Sequence, residues 1–576
     1  MAQHLTKRKK GQKTYYYLAQ TSRVNGKPRQ AIIKSLGTAD DIGEVFKAAN
    51  NPQKESPPDF CRIYDFGAEA ALLNVAERLG VSDLIDEKVQ KRNQGLSVGS
   101  YMVLAAINRV VSPISKNSFH EWFQKTVLSW SFPKANEKTL SGQSFWNHML
   151  ELDQGVLSSI EDELAKRIVN QYNISTECLL FDNTNFITYI DTSNDSLIPQ
   201  RGHSKEKRSD LKIIGLSLMV SQDYNIPLFH SIYPGNVHDS TQFTNIINSL
   251  KQRVSLITNK TENITLVFDK GNNSERAIEL LENKDLLNFH FIGGLRLNQC
   301  PELLELKKEQ FSLLEGIAFK GTSAYRLRKE IYGRELTVII TDNPNLREAQ
   351  LRGLKTNIDK CERELSALQD SLKLREEGKI VRGRKRTTTS VTKNVEKILS
   401  AEHMKKIFKY NISSIDNIIY LSYNIDNNKY DNLVNNHLGK TILFTNRDDW
   451  SNEKIVSTYR SQFRVEESFK QMKDIKYLSF RPVRHFTDRM IIVHAFYCVL
   501  AYTLSCLLQL EINKLGYKFS INVTIDTLKK AKQCLNIYTG DSNGKSRMVS
   551  VFSENPPAAD AYIAKYDLKK YSLNLK

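Results

Sequence analysis

At 576 residues the chain is long for a single core, so several domains are expected. Hydrophobic residues make up 40%, with 25 Phe and 24 Tyr, and the absence of a long low-complexity tract excludes wholesale disorder. Lysine and arginine number 82 against 64 acidic residues, a net charge of +18, which favours a polyanionic partner: nucleic acid first, an anionic membrane surface second.

The N-terminus, MAQHLTKRKKGQKTYYYLAQ, lacks the apolar segment of a signal peptide and argues against export. Residues 14–37 hold two β-rich runs around a VNGK turn, and Asn-Gly is a strong hairpin signal, so residues 1–50 read as a small basic β unit. NNPQKESPPDF (Asn50–Phe60) is a linker. From Ala68 to Ile168 helical spacing dominates, and residues 60–170 are expected to form an all-α domain.

Strand signals follow in CLLFDNTNFITYI (Cys178–Ile190), LKIIGLSLMV (Leu211–Val220) and IPLFHSIYPG (Ile226–Gly235). A helix over Asp239–Val254, a short strand over Ile264–Asp269 and a helix over Ser274–Asn283 make residues 171–295 the first part of a mixed α/β sheet domain. Residues 296–437 change pattern, with β-like runs (AYRLRKEIY, ELTVIITDN) and then a charged helix. Its apolar positions Leu351, Leu354, Ile358, Cys361, Leu365, Leu368 and Leu372 step by three and four, as in a heptad seam. That seam suits an arm packed within its own insertion; a dimer contact is the alternative. VRGRKRTTT (Val381–Thr389) is a solvated loop or a phosphate-contacting arm. KTILFTN (Lys440–Asn446) returns to strand, so the sheet domain resumes over 438–485 after an insertion.

Met490–Leu510 carries no Asp, Glu, Lys or Arg and is long enough to cross a bilayer. His494, Tyr497, Tyr502, Thr503, Ser505 and Gln509 within it favour a buried core helix, part of a C-terminal helical region over 486–576. The seven scattered cysteines form no CxxC pair and read as reduced core residues of a cytosolic protein.

Two aspartates stand where strands would emerge from a sheet, Asp182 in LLFDNTNF and Asp269 in LVFDKGNN. Alone, either suits a turn or cap. With an acid on a following helix they become a set of hard oxygen ligands, as metal-assisted phosphoryl transfer on DNA requires. No Walker-type loop, HExxH or paired Cys/His spacing offers another route. The helix is YRSQFRVEESFKQMK (Tyr459–Lys473). At about 100° per residue, Tyr459, Gln462, Phe463, Glu466, Phe469 and Lys473 share one arc of about 120°, and Glu467 lies about 100° from Glu466. Glu466 is thus expected on the core-facing stripe, bound to metal or paired with Lys470 or Lys473, and Glu467 on the surface beside Arg460 or Lys470.

These residues resemble a family. The helix is similar to the signature of DDE-type bacterial insertion-sequence transposases: Tyr, two residues, Arg, three residues, Glu, six residues, Lys. Anchored on Glu466 it supplies Tyr459, Glu466 and Lys473, with Gln462 in place of Arg; anchored on Glu467 nothing matches. RGHSKEKRSDLK (Arg201–Lys212) with IPLFHSIYPGNVHDS, LVFDKGNNS, and RPVRH (Arg481–His485) resemble further blocks of that family, so the likeness spans residues 10–510.

The resemblance implies an RNase H-like α/β core with Asp182, Asp269 and Glu466 as ligands of two Mg²⁺ or Mn²⁺ ions. Asp182 would bridge both ions, one activating the nucleophile and the other stabilising the departing 3′-oxygen. It also implies a largely β insertion between the second and third acids and flanking domains that recognise inverted-repeat ends. The partner would be double-stranded DNA, the active form a homodimer, and the setting the bacterial cytoplasm, beside the nucleoid and away from membranes. Tyr459 and Lys473 would grip phosphates, with Arg460 or Arg464 supplying charge nearby. Arg201, Lys205, Lys207, Arg208 and Lys212 would line the DNA path or form a solvated loop. Asp239 reads as the cap of its helix or as metal support, and Trp450 as core or as a stacking platform. The function expected is DNA transposition; a DNA-binding protein without chemistry is the alternative.

Overall fold

A computed structural model describes residues 3–24, 27–50, 57–89, 95–191, 193–258, 263–283, 289–380, 386–416, 418–481, 483–539 and 546–573. The Asn25-Gly26 turn, most of the linker, residues 381–385 of the basic run and Pro482 lie outside the described residues. The chain divides into two compact units, one of residues 1–63, 534–551 and 574–576, the other of residues 64–533 and 552–573.

The first unit holds an antiparallel sheet of β1 (Gln3–Lys10), β2 (Lys13–Val24) and β3 (Lys27–Gly37), followed by α1 (Ala39–Asn50). Sequence reading missed β1, because QHLTKRKK carries no β-former beyond one Leu and one Thr. Pairing with the Tyr15–Tyr17 run of β2 makes it a strand. Most of a second sheet, β4 (Phe60–Asp65), β16 (Lys532–Tyr538) and β17 (Arg547–Phe552) in the order β17-β16-β4, also belongs here. The C-terminal helical region expected over 486–576 also contains β16 and β17, which the helical reading left out.

In the second unit a nine-stranded sheet runs in the order β10-β11-β12-β15-β9-β8-β5-β6-β7. Its strands are β5 (Cys178–Ile187), β6 (Ile213–Ser221), β7 (Pro227–Pro234), β8 (Thr265–Phe268), β9 (His290–Leu295), β10 (Ser312–Leu313), β11 (Ser323–Ile331), β12 (Arg334–Asp342) and β15 (Lys440–Thr445). β5, β6 and β7 form an antiparallel meander, β8 and β9 add in parallel beside β5, and β15, β12, β11 and β10 continue antiparallel. α9 (Asp239–Ile257) and α10 (Glu275–Glu282) connect the strands around β8.

Beyond β12 the chain differs from the largely β insertion expected. β11 and β12 extend the main sheet, because β15 pairs with β9 on one side and β12 on the other. The segment with a separate apolar core starts at α11 (Pro344–Glu376) and is mainly helical, with α12 (Thr388–Ile398), α13 (Met404–Ile407), α14 (Asn427–Asn432) and one hairpin, β13 (Phe408–Ile415) and β14 (Ile418–Ile425). Asn343 caps α11 and Pro344 takes its first turn, which starts this helix sharply. The seam residues Leu354, Ile358, Cys361, Leu365, Leu368 and Leu372 are buried in that local core with Val391, Leu421 and Leu433.

The helices before the sheet are α2 (Gly67–Arg78), α3 (Val81–Lys88), α4 (Val98–Val111), α5 (Phe119–Phe123), α6 (Leu128–Ser131), α7 (Gly142–Met149) and α8 (Gln154–Tyr172). They share one continuous apolar core with the sheet. The element that joins them is α17 (Asp488–Lys514), which follows α15 (Asn452–Arg460) and α16 (Phe463–Lys473) and precedes α18 (Ile521–Lys529) and α19 (Pro557–Lys565). Twenty of its 27 residues are buried. An all-round apolar helix is stable in water only when surrounded, and α17 packs against α2, α4, α8 and β7.

A carboxylate of α17 sits inside this core. Glu511 of α17 is 3% exposed and accepts two hydrogen bonds from Arg78 at 2.7 and 2.9 Å, one from the Tyr172 hydroxyl at 2.8 Å and one from Tyr562. Replacing Glu511 by Ala strands Arg78 and should cost about 3 kcal/mol. Calorimetry should record a clear fall in Tm, and an unchanged Tm would contradict this account.

Candidate active site

Asp182 lies in the middle of β5 and Asp269 directly follows β8. β5 and β8 are parallel with Phe181 opposite Phe268, so the next residue on each strand is an aspartate. Glu466 comes from the first turn of α16. All three line one cavity of about 670 Å³ together with Asp239, Thr184, Lys205, Lys470, Lys473 and Arg481. Strand position, and not side-chain partners, brings the aspartates together.

The cavity is electrostatically unbalanced in its depth. Burial pushes the Asp182 carboxyl up to about 7, with Asp269 and Asp239 raising it further against the opposing effect of Lys205. Lys205 is 3.9 Å from Asp239 and donates to the Asn183 carbonyl. Lys473 donates to Thr184 Oγ1 at 3.0 Å, has no carboxylate within 4 Å among the described residues, and is pushed below its usual range by burial. Arg481 pairs with Glu206 at the rim.

The helix carrying Glu466 is not continuous with Tyr459. α15 ends at Arg460 and α16 begins at Phe463; between them Gln462, Arg464 and Val465 donate to Tyr459, Ser461 and Gln462, three residues back. Each such tight turn advances the phase by about 120° instead of about 100°. The expected core-facing stripe is therefore corrected: Phe463 is 56% exposed, Glu466 is exposed to the cavity, and the buried face is Val465, Ser468, Phe469 and Met472. Among the described residues Glu466 has no ion pair with Lys470 or Lys473, and Glu467, also exposed, has none with Arg460 or Lys470 and does not line this cavity.

Neighbouring side chains hold the acids in place. Tyr459 donates its hydroxyl to Asp269 Oδ1 at 3.2 Å, and burial with Asp269 raises its pKa. Its ring crosses β9 at Gly294, where a Cβ would meet the hydroxyl at 2.3 Å, so only glycine permits the approach. Gln462 is 6% exposed and donates to the Phe181 carbonyl at 2.7 Å, tying the start of α16 to the residue before Asp182. Asn183 donates to Asn272 at 2.7 Å, linking β5 to the turn after Asp269.

Asp239 corrects the cap assignment. His238 is the N-cap of α9 and makes no side-chain cap bond, while Asp239 accepts from the Tyr233 hydroxyl at 3.1 Å and faces the cavity. Sequence reading missed Arg481 as a cavity residue and placed Asp239 there only as the alternative to a cap, because its position at the end of a strand-to-helix turn is shared by many caps.

The remaining basic residues are distributed unevenly. Of the loop from Arg201 to Lys212, Lys205 alone lines the cavity; Arg201 and Lys207 are exposed, Arg208 pairs with Asp210 at 2.7 Å, and Lys212 donates to the Asn194 carbonyl at 3.0 Å. Arg460 donates to Ala318 and Thr322 and stacks over Phe319, and Arg464 lies against Phe463. Trp450 is buried between Arg447 and Lys454, beside Glu177 and Ile264 at the opposite strand ends from Asp269.

A hard cation fits the chemistry of these donors. Five carboxylates, Asp182, Asp239, Asp269, Glu466 and Asp474, line one space, and Asn183 Oδ1, next to Asp182 in sequence, is a buried acceptor without a hydrogen-bond partner. Among the described residues no three His, Cys, Asp or Glu side chains stand close enough together to hold one ion as they are placed.

Residues 187–504 match the family described as transposase DDE domain, more than half of the chain, and residues 4–55 match the IS1634 family transposase N-terminal domain. The matched span includes Asp269 and Glu466 and begins five residues after Asp182. No curated protein matches. Among solved structures the chain is similar to one described as a cryo-EM structure of a piggyBac transposase synaptic complex with hairpin DNA, at 10% identity and a TM-score of 0.41, over 80% of this chain and 79% of that one. By the extent of the family match, the chain belongs to the transposase DDE domain family and is an insertion-sequence transposase.

Proposed function

We propose that this transposase binds duplex DNA at the inverted-repeat ends of its element and cuts and rejoins phosphodiester bonds at the cavity formed by Asp182, Asp269 and Glu466. The observation that carries this reading is the convergence of acids from β5, the end of β8 and α16 on one open space ringed by Lys205, Lys470, Lys473 and Arg481. The strand order β7-β6-β5-β8-β9, an antiparallel meander followed by two parallel strands, supports an RNase H-like core. The active form is a homodimer on DNA in the bacterial cytoplasm, and the helices before the sheet and the basic N-terminal sheet contribute to end recognition.

Two Mg²⁺ or Mn²⁺ ions held by Asp182, Asp269 and Glu466 would supply activation of the attacking oxygen and charge neutralisation at the leaving one. The chain's own residues do the rest. Lys473 and Lys205 offer N–H donors to phosphate oxygens at the cavity wall. Tyr459 fixes Asp269 by its hydroxyl, and Gln462 takes the place of the signature arginine by holding α16 against β5. Asp239 keeps Lys205 turned toward the cavity.

Cleavage of a duplex carrying the terminal repeat, with Mg²⁺ present, tests the assignment. Glu466→Gln should lose more than ~100-fold in rate and Glu467→Gln should retain wild-type rate. The reverse pattern would remove Glu466 from the site.

Asp182 also makes a stability prediction. A carboxyl raised from 3.8 to about 7 by folding contributes stability that is fully present below its unfolded value and is lost as pH rises through 7. In EDTA, Asp182→Asn should therefore melt near wild type at pH ~4 and higher than wild type at pH ~8. Equal melting at both pH values would show that folding does not raise the Asp182 carboxyl.

A further inference from the structure

Outside the acid cavity, the second unit contains a group of basic side chains with no acid among them. Arg109 lies in the last turn of α4, Lys116 in the turn that follows, and His485 between α16 and α17. Lys116 Nζ donates to the Tyr497 hydroxyl at 3.1 Å and to His485 Nε2 at 3.4 Å. The Arg109 guanidinium lies 5.9 Å from the centre of the Tyr497 ring and donates one long bond, 3.4 Å, to the Ser479 carbonyl. All three side chains are partly exposed.

Ordinary packing leaves this arrangement unbalanced. Like charges half out of water repel, and proteins usually place a carboxylate between them. Here, among the described residues, none pairs with Arg109, Lys116 or His485, and the groups acting on Lys116 are Arg109 and the Cys498 thiol. Burial and Arg109 push Lys116 down to about 7, and burial with Lys116 and Arg109 pushes His485 down to about 3. The nearby His494 is not available to compensate, since both its ring nitrogens are engaged, one with Tyr497 and one with the Phe480 carbonyl. The guanidinium keeps most of its five N–H groups free and Lys116 keeps one. Donors of this kind, partly exposed and held by Tyr497 and the Ser479 carbonyl, match the oxygens of a phosphodiester.

The same stretch of chain reaches the acid cavity. Ser479, whose carbonyl receives Arg109, donates through its hydroxyl to the Arg481 carbonyl, and Arg481 lines that cavity. We propose that Arg109, Lys116 and His485 seat one backbone phosphate of the bound duplex, outside the phosphate that reacts. The proposal rests on the reading of the protein as an enzyme acting on duplex DNA.

The test is binding of a labelled duplex to the full-length protein, followed by fluorescence anisotropy over a range of salt concentrations. Lys116→Met should weaken binding by ~10-fold and lower the salt slope by about one, and Lys116→Arg should stay near wild type. In phosphate-free buffer Lys116→Met should melt no lower than wild type, because the substitution removes a cation that has no counter-charge. His485→Gln, which leaves the Lys116 bond to Tyr497 in place, should also weaken binding. If both variants bind duplex with wild-type affinity and salt slope, the seat is not used by DNA and the proposal is overturned. If inorganic phosphate raises the wild-type Tm while DNA binding is unmoved in the variants, the group is a free-anion site only. If the wild-type protein binds no duplex at all, the DNA-processing reading itself fails.

Discussion

The constraint on which this molecule turns is the gathering of carboxylates, one of them buried, at one end of a parallel strand pair. The register of β5 against β8 sets Asp182 beside Asp269, and the start of α9 and of α16 bring Asp239 and Glu466 to the same space. Burial first, and the neighbouring Asp269 and Asp239 after it, raise the Asp182 pKa in spite of Lys205. A protein that gathered these acids for stability alone would place a guanidinium among them. This one leaves its cations at the wall, with Lys205 on Asp239 and Lys473 on a threonine hydroxyl. The gap suits a ligand of positive charge inside and a polyanion across the mouth.

Around that space the fold acts as a set of braces. Tyr459 is held over Gly294 and reaches Asp269, Gln462 fastens the start of α16 to the carbonyl before Asp182, and the Asn183–Asn272 bond closes the other side. Further out, α17 supplies the apolar post against which the N-terminal helices and the edge strand β7 pack, with Glu511 as its one buried charge. The insertion leaves the sheet after β12 and returns at β15, so a separately packed helical arm is added without disturbing the strands that carry the acids.

Much of this was legible in the sequence. The strands carrying Asp182 and preceding Asp269, the helix after Ser274 and the buried nature of Met490–Leu510 all follow from local apolar runs, and such runs are strong because they are buried on both sides. The likeness to insertion-sequence transposases, drawn from LVFDKGNNS and the Glu466 helix, is borne out by the family match. What was not legible depended on long-range pairing or on a small change of helical phase. β1 becomes a strand through its neighbour, β11 and β12 join the sheet because β15 returns beside them, and the short i to i−3 turns at Ser461 rotate Glu466 out of the core stripe. Asp239 reads as a cap by position, with metal support as the alternative; its hydroxyl partner Tyr233 and its place in the cavity lining depend on the folded turn.

The central claim is that Asp182, Asp269 and Glu466 form one cation-dependent site in which all three acids act together. Titration of the metal-free protein with Mn²⁺, followed by electron paramagnetic resonance of the unbound ion, tests it without reference to activity. The account predicts saturable binding by the wild-type chain that is lost or much weakened when Asp182 is replaced by Asn and preserved when Glu467 is replaced by Gln. Equal binding by the wild-type and Asp182→Asn proteins would contradict it.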